Sequence, residues 1–287
     1  MRSLASYTFL LLALLPAAGW TAVEARDSEG RLVSLAEPAQ RIVALAPHVV
    51  ENLYSIGAGD QIVGAVQYSD YPGAARDIPR VGGVGSISLE RIIAADPDLV
   101  IAWGSGTSPQ LRAALERLGK PVFVDEIRSL EELARQFRAL GTLTGHADAA
   151  LVAAESVHAA LSATETIAAE TREEASRAVF LQIWDEPLQS VGGDHLLSEV
   201  IHRCGGHSIS RDLPGLAPLV SLERVLAADP ALIIVENETQ AEHWQRWPQL
   251  QAVRGDGILV IHADFLHRPT LRLLEGMATI CARLRQH

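Results

Sequence analysis

Cysteine is scarce: Cys204 and Cys281 are the only two in 287 residues. That excludes a thiolate-rich metal centre and a small disulfide-dense scaffold. Basic residues are outnumbered, 24 Lys and Arg against 35 Asp and Glu, for a net charge of −11. A nucleic-acid partner needs a basic face, so none is expected. Aromatic residues make up only 5% of the chain, so any that gather in one place carry information. Beyond Ala25 no apolar run approaches the ~20 residues that cross a bilayer.

The one marked apolar run comes first. "MRSLASYTFLLLALLPAAGW" has an Arg, an apolar stretch from Tyr7 to Leu15, then small residues. It is too short to span a membrane and reads as a secretory leader, residues 1–25, cut near Ala25 after "VEA". No cysteine follows it that could take a lipid anchor. The mature chain is therefore expected free in an exported compartment, the periplasm. There, two cysteines favour one disulfide, with two buried free thiols as the alternative. A hydrophobic content of 48% supports a sizeable core.

The chain then writes one sentence twice. "SLERIIAADPDLVIAW" begins at Ser88 and "SLERVLAADPALIIV" at Ser221, 133 residues later. Each copy reads as a serine-capped helix with a glutamate in its first turn, a break at Asp-Pro, and a buried strand. Around both copies short apolar strands alternate with amphipathic helices, the pattern of an α/β layer with a mostly parallel sheet. Between them lies an Ala- and Glu-rich stretch whose summed propensity predicts one long helix. The expected architecture is two Rossmann-like α/β lobes, residues 40–143 and 177–287, joined by a single linker helix over 144–176. A ligand cleft between the lobes follows, because open α/β sheets bind beyond the carboxyl ends of their strands. Trp103, "YSDYP" at Tyr68, "WDEP" at Trp184 and "ADFLHRP" at Ala263 all fall at such ends.

Two other chemistries compete for this cleft. Ten histidines raise metal binding. His48 with Glu51, and His262 with His267, are the most suggestive pairs, but no compact cluster appears and no metal-ion site is expected. A single axial His or Tyr on a haem iron stays open. The acids and histidines of "WDEP" and "ADFLHRP" could also serve acid–base work. No nucleophile elbow or phosphate-binding glycine fingerprint accompanies them, and "VGGVGS" lacks the strand-to-helix setting of a dinucleotide loop. An enzyme is not expected.

In "YSDYP", the two "SLER" copies, "VFLQ", "ADFLHRP" and the Cys204/Cys281 pair, taken in order and covering nearly all of the mature chain, the sequence resembles the periplasmic cobalamin-binding proteins. These belong to a wider class of iron-siderophore, haem and cobalamin receptors that feed ABC importers. The resemblance implies a monomeric receptor with no cofactor of its own, carrying cobalamin, or a related tetrapyrrole or siderophore, to the importer's membrane subunits. It places ligand contacts on Tyr68, on Trp103 and on Asp264, Phe265, Leu266, His267 and Arg268. It implies a Cys204–Cys281 disulfide, and it makes Glu90 and Glu223 one docking charge per lobe for a two-fold transporter. The pattern departs at Val84, Ala217 and Gln189, where the family carries aromatic residues. Trp184 or Phe265 is the candidate replacement.

Overall fold

The computed structural model describes residues 22–83, 85–170 and 176–286. Most of the leader, and Val84, lie outside them. The described chain opens on a hairpin, β1 (Val23–Arg26) antiparallel to β2 (Leu32–Leu35). Its alternating pattern turns Ala25, Val33 and Leu35 into the core, as a half-buried strand pair requires. Ala25 faces Val33 inside this hairpin. A cut near Ala25 would therefore remove most of a core strand, so the hairpin survives only if the leader ends upstream of Val23. The hairpin also joins the N-terminal lobe, upstream of 40–143, through Ser28 N–H donating to Val124 O at 2.9 Å.

That lobe runs β3 (Ile42–Ala44), α1 (Pro47–Ser55), β4 (Ile62–Val66), β5 (Arg80–Gly83), β6 (Ser86–Ile87), α2 (Leu89–Ala94), β7 (Leu99–Trp103), α3 (Pro109–Arg117) and β8 (Val122–Asp125). The sheet order is β6-β5-β4-β3-β7-β8, parallel except for the short edge strand β6. The central strands are apolar throughout and buried on both faces, as parallel sheets demand. Two helices follow, α4 (Leu130–Thr144) and α5 (Ala147–Glu170). Gly145 separates them with φ +78°, a left-handed helix end that glycine adopts freely. Gly141 lets them pack closely, since a Cβ there would stand 2.3 Å from that of Ala150.

The C-terminal lobe runs β9 (Arg177–Leu181), α6 (Leu196–Arg203), β10 (Gly206–Ser208), α7 (Leu222–Ala228), β11 (Leu232–Val235), α8 (Glu238–Trp244), α9 (Gln251–Arg254), β12 (Ile258–Val260) and α10 (Arg272–Gln286). Its sheet, β10-β9-β11-β12, is wholly parallel. Between β9 and α6 the strand-like "LQSVGG" pairs only through isolated bridges joining Trp184, Gln189 and Leu219. One face of each sheet has its own core, around Val43 and Ile92 in the first lobe and around Phe180 and Trp244 in the second. The other faces share a single apolar cluster that runs from α1 through α4 and α5 to α6 and α10. Among the described residues no helix is long and apolar enough to cross a membrane.

Candidate functional site

Each sheet reverses its strand order once, between β3 and β7 in the first lobe and between β9 and β11 in the second. At such a point two neighbouring loops part and leave a crevice at the carboxyl ends. The first crevice is flanked by Pro47 and His48 after β3 and by Trp103 at the end of β7. The second is flanked by Trp184 beyond β9 and by Glu236 after β11. A hollow of about 300 Å³ lies between the lobes, bounded by His48, Trp103 and Ile127 on one side and by His195, Leu216, His267 and Arg268 on the other. A hollow of about 400 Å³ beside Gln182, Asp185 and Trp244 shares no lining residue with it and belongs to the second lobe alone.

Of the two exposed first-lobe rings, Trp103, 41% exposed, lines the hollow, whereas Tyr68, 69% exposed, lies in the loop after β4 and does not line it. Tyr68 also has φ 65°, a left-handed backbone conformation unusual for a residue with a bulky side chain. Its carbonyl is held by Arg268 Nη2 at 3.1 Å. Trp103 packs edge to face on His48, with centroids 5.9 Å apart, and both line the hollow. The His48 Nε2 is 2.9 Å from Asp125 Oδ2 at the end of β8, not beside Glu51.

Glu51 has another role. Although 3% exposed, its carboxylate takes Arg268 Nη1 and Arg272 Nη2 at 2.6 Å each and Arg272 Nε at 3.0 Å. Both arginines come from the opposite lobe. Asp264 lies 3.1 Å from Arg268 Nη2, and Asp70 accepts from Arg268 Nη1 at 3.1 Å. Burial alone would lower the Arg268 pKa, but Glu51, Asp264 and Asp70 outweigh it and hold the guanidinium above its ordinary value. Arg272 also lies 4.0 Å over the Tyr71 ring and 5.4 Å from that of Phe265. Asn52 Nδ2 donates to Pro269 O at 3.0 Å. The segment Asp264–Arg268 thus belongs as much to a clamp between lobes as to the cleft.

Within that segment the side chains divide. Arg268 and His267 line the hollow. Leu266 also borders the hollow, but it is only 2% exposed and packs in the shared core. Asp264 and Phe265 face Arg272 and do not line the hollow. Trp184, 59% exposed, is bridged to Gln189, which is bridged to Leu219. Directly opposed residues of antiparallel pairs share a face, so Trp184 and the 62% exposed Leu219 flank Gln189 in one row. His195 caps α6 by accepting Leu197 N–H on Nδ1. Burial, with a smaller contribution from His267, pushes its pKa down to about 4, so the ring is neutral at pH 7. Sequence reading missed Glu51 as a clamp, Asp125, Tyr71 and Arg272. Only the unusual charge inside the apolar-spaced α1 pointed to Glu51.

The repeated motif forms the same structure twice. Ser88 Oγ accepts Arg91 N–H and Ser221 Oγ accepts Arg224 N–H, each at 3.2 Å. The repeated aspartates before proline, Asp96 and Asp229, have φ 44° and 41°, which Asp tolerates better than most residues. Glu90 and Glu223 are exposed on the first turns of α2 and α7. Their own backbone N–H groups, then the capping serines, hold both carboxyls below the usual range. Cys204, at the end of α6, and Cys281, in α10, form a disulfide with Cα atoms 4.5 Å apart.

Residues 42–264 match the family model described as periplasmic binding protein. A vitamin B12-binding protein of Vibrio cholerae serotype O1 is 34% identical over 251 residues, 86% of this chain and 90% of the relative. The crystal structure of the periplasmic vitamin B12 binding protein of Vibrio cholerae superposes with a TM-score of 0.80 at 33% identity, covering 87% of this chain and 98% of that one. A periplasmic haem-binding protein from Roseiflexus shares the fold, with a TM-score of 0.74 at 20% identity, covering 86% and 98%.

Proposed function

Since the chain belongs to the periplasmic binding protein family, and is a binding protein rather than an enzyme, we propose that it captures cobalamin in the interlobe cleft and hands it to an ABC importer. The observation that carries this reading is the exposed Trp103 on one wall of a hollow bounded by both lobes, with the exposed Tyr68 tied through its carbonyl to Arg268 of the opposite wall. Flat macrocycles bury large areas against such rings. The 34% identity to a relative named for vitamin B12 binding supports the same ligand. Tyr68, Trp103, His267 and Arg268 are its contacts, and the Trp184–Leu219 row supplies apolar surface where Gln189 stands. The chain works as a monomer after loss of its leader, which ends upstream of Val23. Glu90 and Glu223 present one carboxylate from each lobe to a pair of equivalent transporter subunits, an arrangement that suits two-fold symmetry.

The test is titration of the purified mature protein with cobalamin, followed by absorbance and co-elution, with haemin and a ferric hydroxamate in parallel. Saturable binding of cobalamin alone is expected. Binding of haemin or the siderophore with no binding of cobalamin would overturn the ligand assignment.

A further inference from the structure

Three histidines line the hollow between the lobes, His48, His195 and His267, and each is held differently. His195 accepts Leu197 N–H on Nδ1, so its neutral ring keeps its proton on Nε2 and has no free lone pair. His267 is more exposed, with Nε2 2.9 Å from Glu236 Oε1, but that oxygen has no aligned hydrogen bond. His48 is 6% exposed, gripped between Asp125 on its Nε2 edge and Trp103 on another.

Asp125 is wholly buried, and its second oxygen, Oδ1, has no partner. A buried carboxylate is costly unless compensated, so orienting the imidazole is its one visible role. A carboxylate can only accept, so in the neutral imidazole it fixes the His48 proton on Nε2 and leaves the lone pair on Nδ1. This carboxylate–imidazole pairing is how proteins orient and strengthen a histidine that ligates a metal. Among the described residues no group of three or more His, Cys, Asp or Glu could hold a free ion. A lone histidine is sufficient only for a metal whose other positions are already filled, as in the plane of a tetrapyrrole.

On the reading that the cleft takes a corrinoid, we propose that His48, oriented by Asp125, ligates the cobalt axially through Nδ1 whenever an axial position is open. The step is a substitution. The Nδ1 lone pair forms the bond to cobalt, a coordinated water leaves, and the oxidation state is unchanged. Corrinoids lacking the nucleotide base, or carrying exchangeable water, gain this bond. A corrinoid with two firmly held axial ligands does not. A haem iron with an open face offers the same chemistry, and the experiment separates the two metals.

The test uses the intact, disulfide-bonded protein with aquacobinamide, a base-free corrinoid, reduced to cobalt(II). Electron paramagnetic resonance should show each cobalt line split into a triplet by one ¹⁴N, becoming a doublet when the protein's histidines carry ¹⁵N. His48→Ala should abolish the splitting and weaken aquacobinamide about ten-fold or more, with dicyanocobinamide little changed. Added imidazole should restore the triplet. Asp125→Asn should weaken aquacobinamide in the same direction while the ring remains, and it covers the case in which His48→Ala fails to fold. A triplet that survives in His48→Ala but disappears in His267→Ala would overturn the assignment, as would bound cobinamide with no splitting in the unaltered protein. A haemin Soret band that depends on His48 while the cobinamide spectrum does not would move the ligand to iron and overturn the cobalt assignment. Binding of neither cobalamin nor cobinamide would sink the corrinoid reading itself.

Discussion

At the scale of single residues, burial decides what the cleft groups can do. His195 is neutral in the folded chain because its pKa is pushed down to about 4, against 6.5 when free. The unfolded chain therefore binds a proton that the folded chain refuses between those two values. The corresponding stability is complete above pH 6.5 and lost as pH falls toward 4. The loss amounts to up to about 3 kcal/mol. His195→Asn keeps a side chain able to cap α6 and removes the titration. Urea midpoints at pH 7 and pH 4.5 should differ less in this variant than in the unaltered protein, and equal differences would refute the prediction. Tyr68 and Trp103 are a different case, since their exposed rings contribute little to the core. Tyr68→Ala and Trp103→Ala should leave the urea midpoint close to its original value and weaken cobalamin by roughly thirty-fold, the effect of ~2 kcal/mol at a good anchor.

At the scale of elements, two units stand out. The disulfide ties α6 to α10 across 77 residues of sequence. Closing a loop of that length contributes about 4–5 kcal/mol through chain entropy. Cys204→Ala with Cys281→Ala should lower the unfolding free energy by a comparable amount, and reducing agent should destabilise the unaltered protein but not this variant. The paired helices α2 and α7 carry the second prediction. A role confined to the helix dipole would let Glu90→Arg and Glu223→Arg cost a few tenths of a kcal/mol to ~1 kcal/mol of stability and nothing else. Docking instead requires near-normal ligand affinity with lost transporter association, since breaking a desolvated interface pair costs ~2–5 kcal/mol. A pull-down with the membrane complex should show partial binding for each single variant and almost none for the double. Binding of the double variant at full strength would leave the repeat with only its structural meaning.

Across the whole molecule, the lobes are joined by more than their linker. The apolar cluster on one face of both sheets is continuous through α4 and α5, and Leu130 N–H donates to Glu199 across the lobes at 2.9 Å. The Glu51–Arg268–Arg272 clamp bridges the two lobes with charge-assisted bonds of 2.6 Å. Removing one member of such a buried set leaves the others uncompensated, at a cost of ~3–5 kcal/mol. Glu51→Gln should reduce stability on that scale and weaken ligand capture, because Arg268 and the Tyr68 carbonyl it holds lose their anchor. Small-angle scattering should show a wider spread of lobe separations in this variant. An unchanged urea midpoint would mean that the clamp is relieved by water and the shared core alone sets lobe geometry.

What the sequence determined was local. Periodicity and Asp-Pro breaks marked the strands and helices, and two serine caps in copied sentences marked two lobes of one architecture. Trp103 and Tyr68 were legible because a residue just past a buried parallel strand falls at the sheet's carboxyl edge whatever its distant neighbours are. The long helix predicted between the repeats is preceded by a separate α4, and the two part at Gly145, whose left-handed backbone ends α4. Partnerships between distant residues had no such signal. Glu51 meets Arg272 across 221 positions, and His48 meets Asp125 across 77. Only the switch of strand order brings those ends together, and only the packing of one lobe on the other decides that a glutamate spaced from His48 like a metal ligand should instead grip two arginines. A side chain's neighbours along the helix set its face, but what stands opposite that face is decided by how the sheets are stacked.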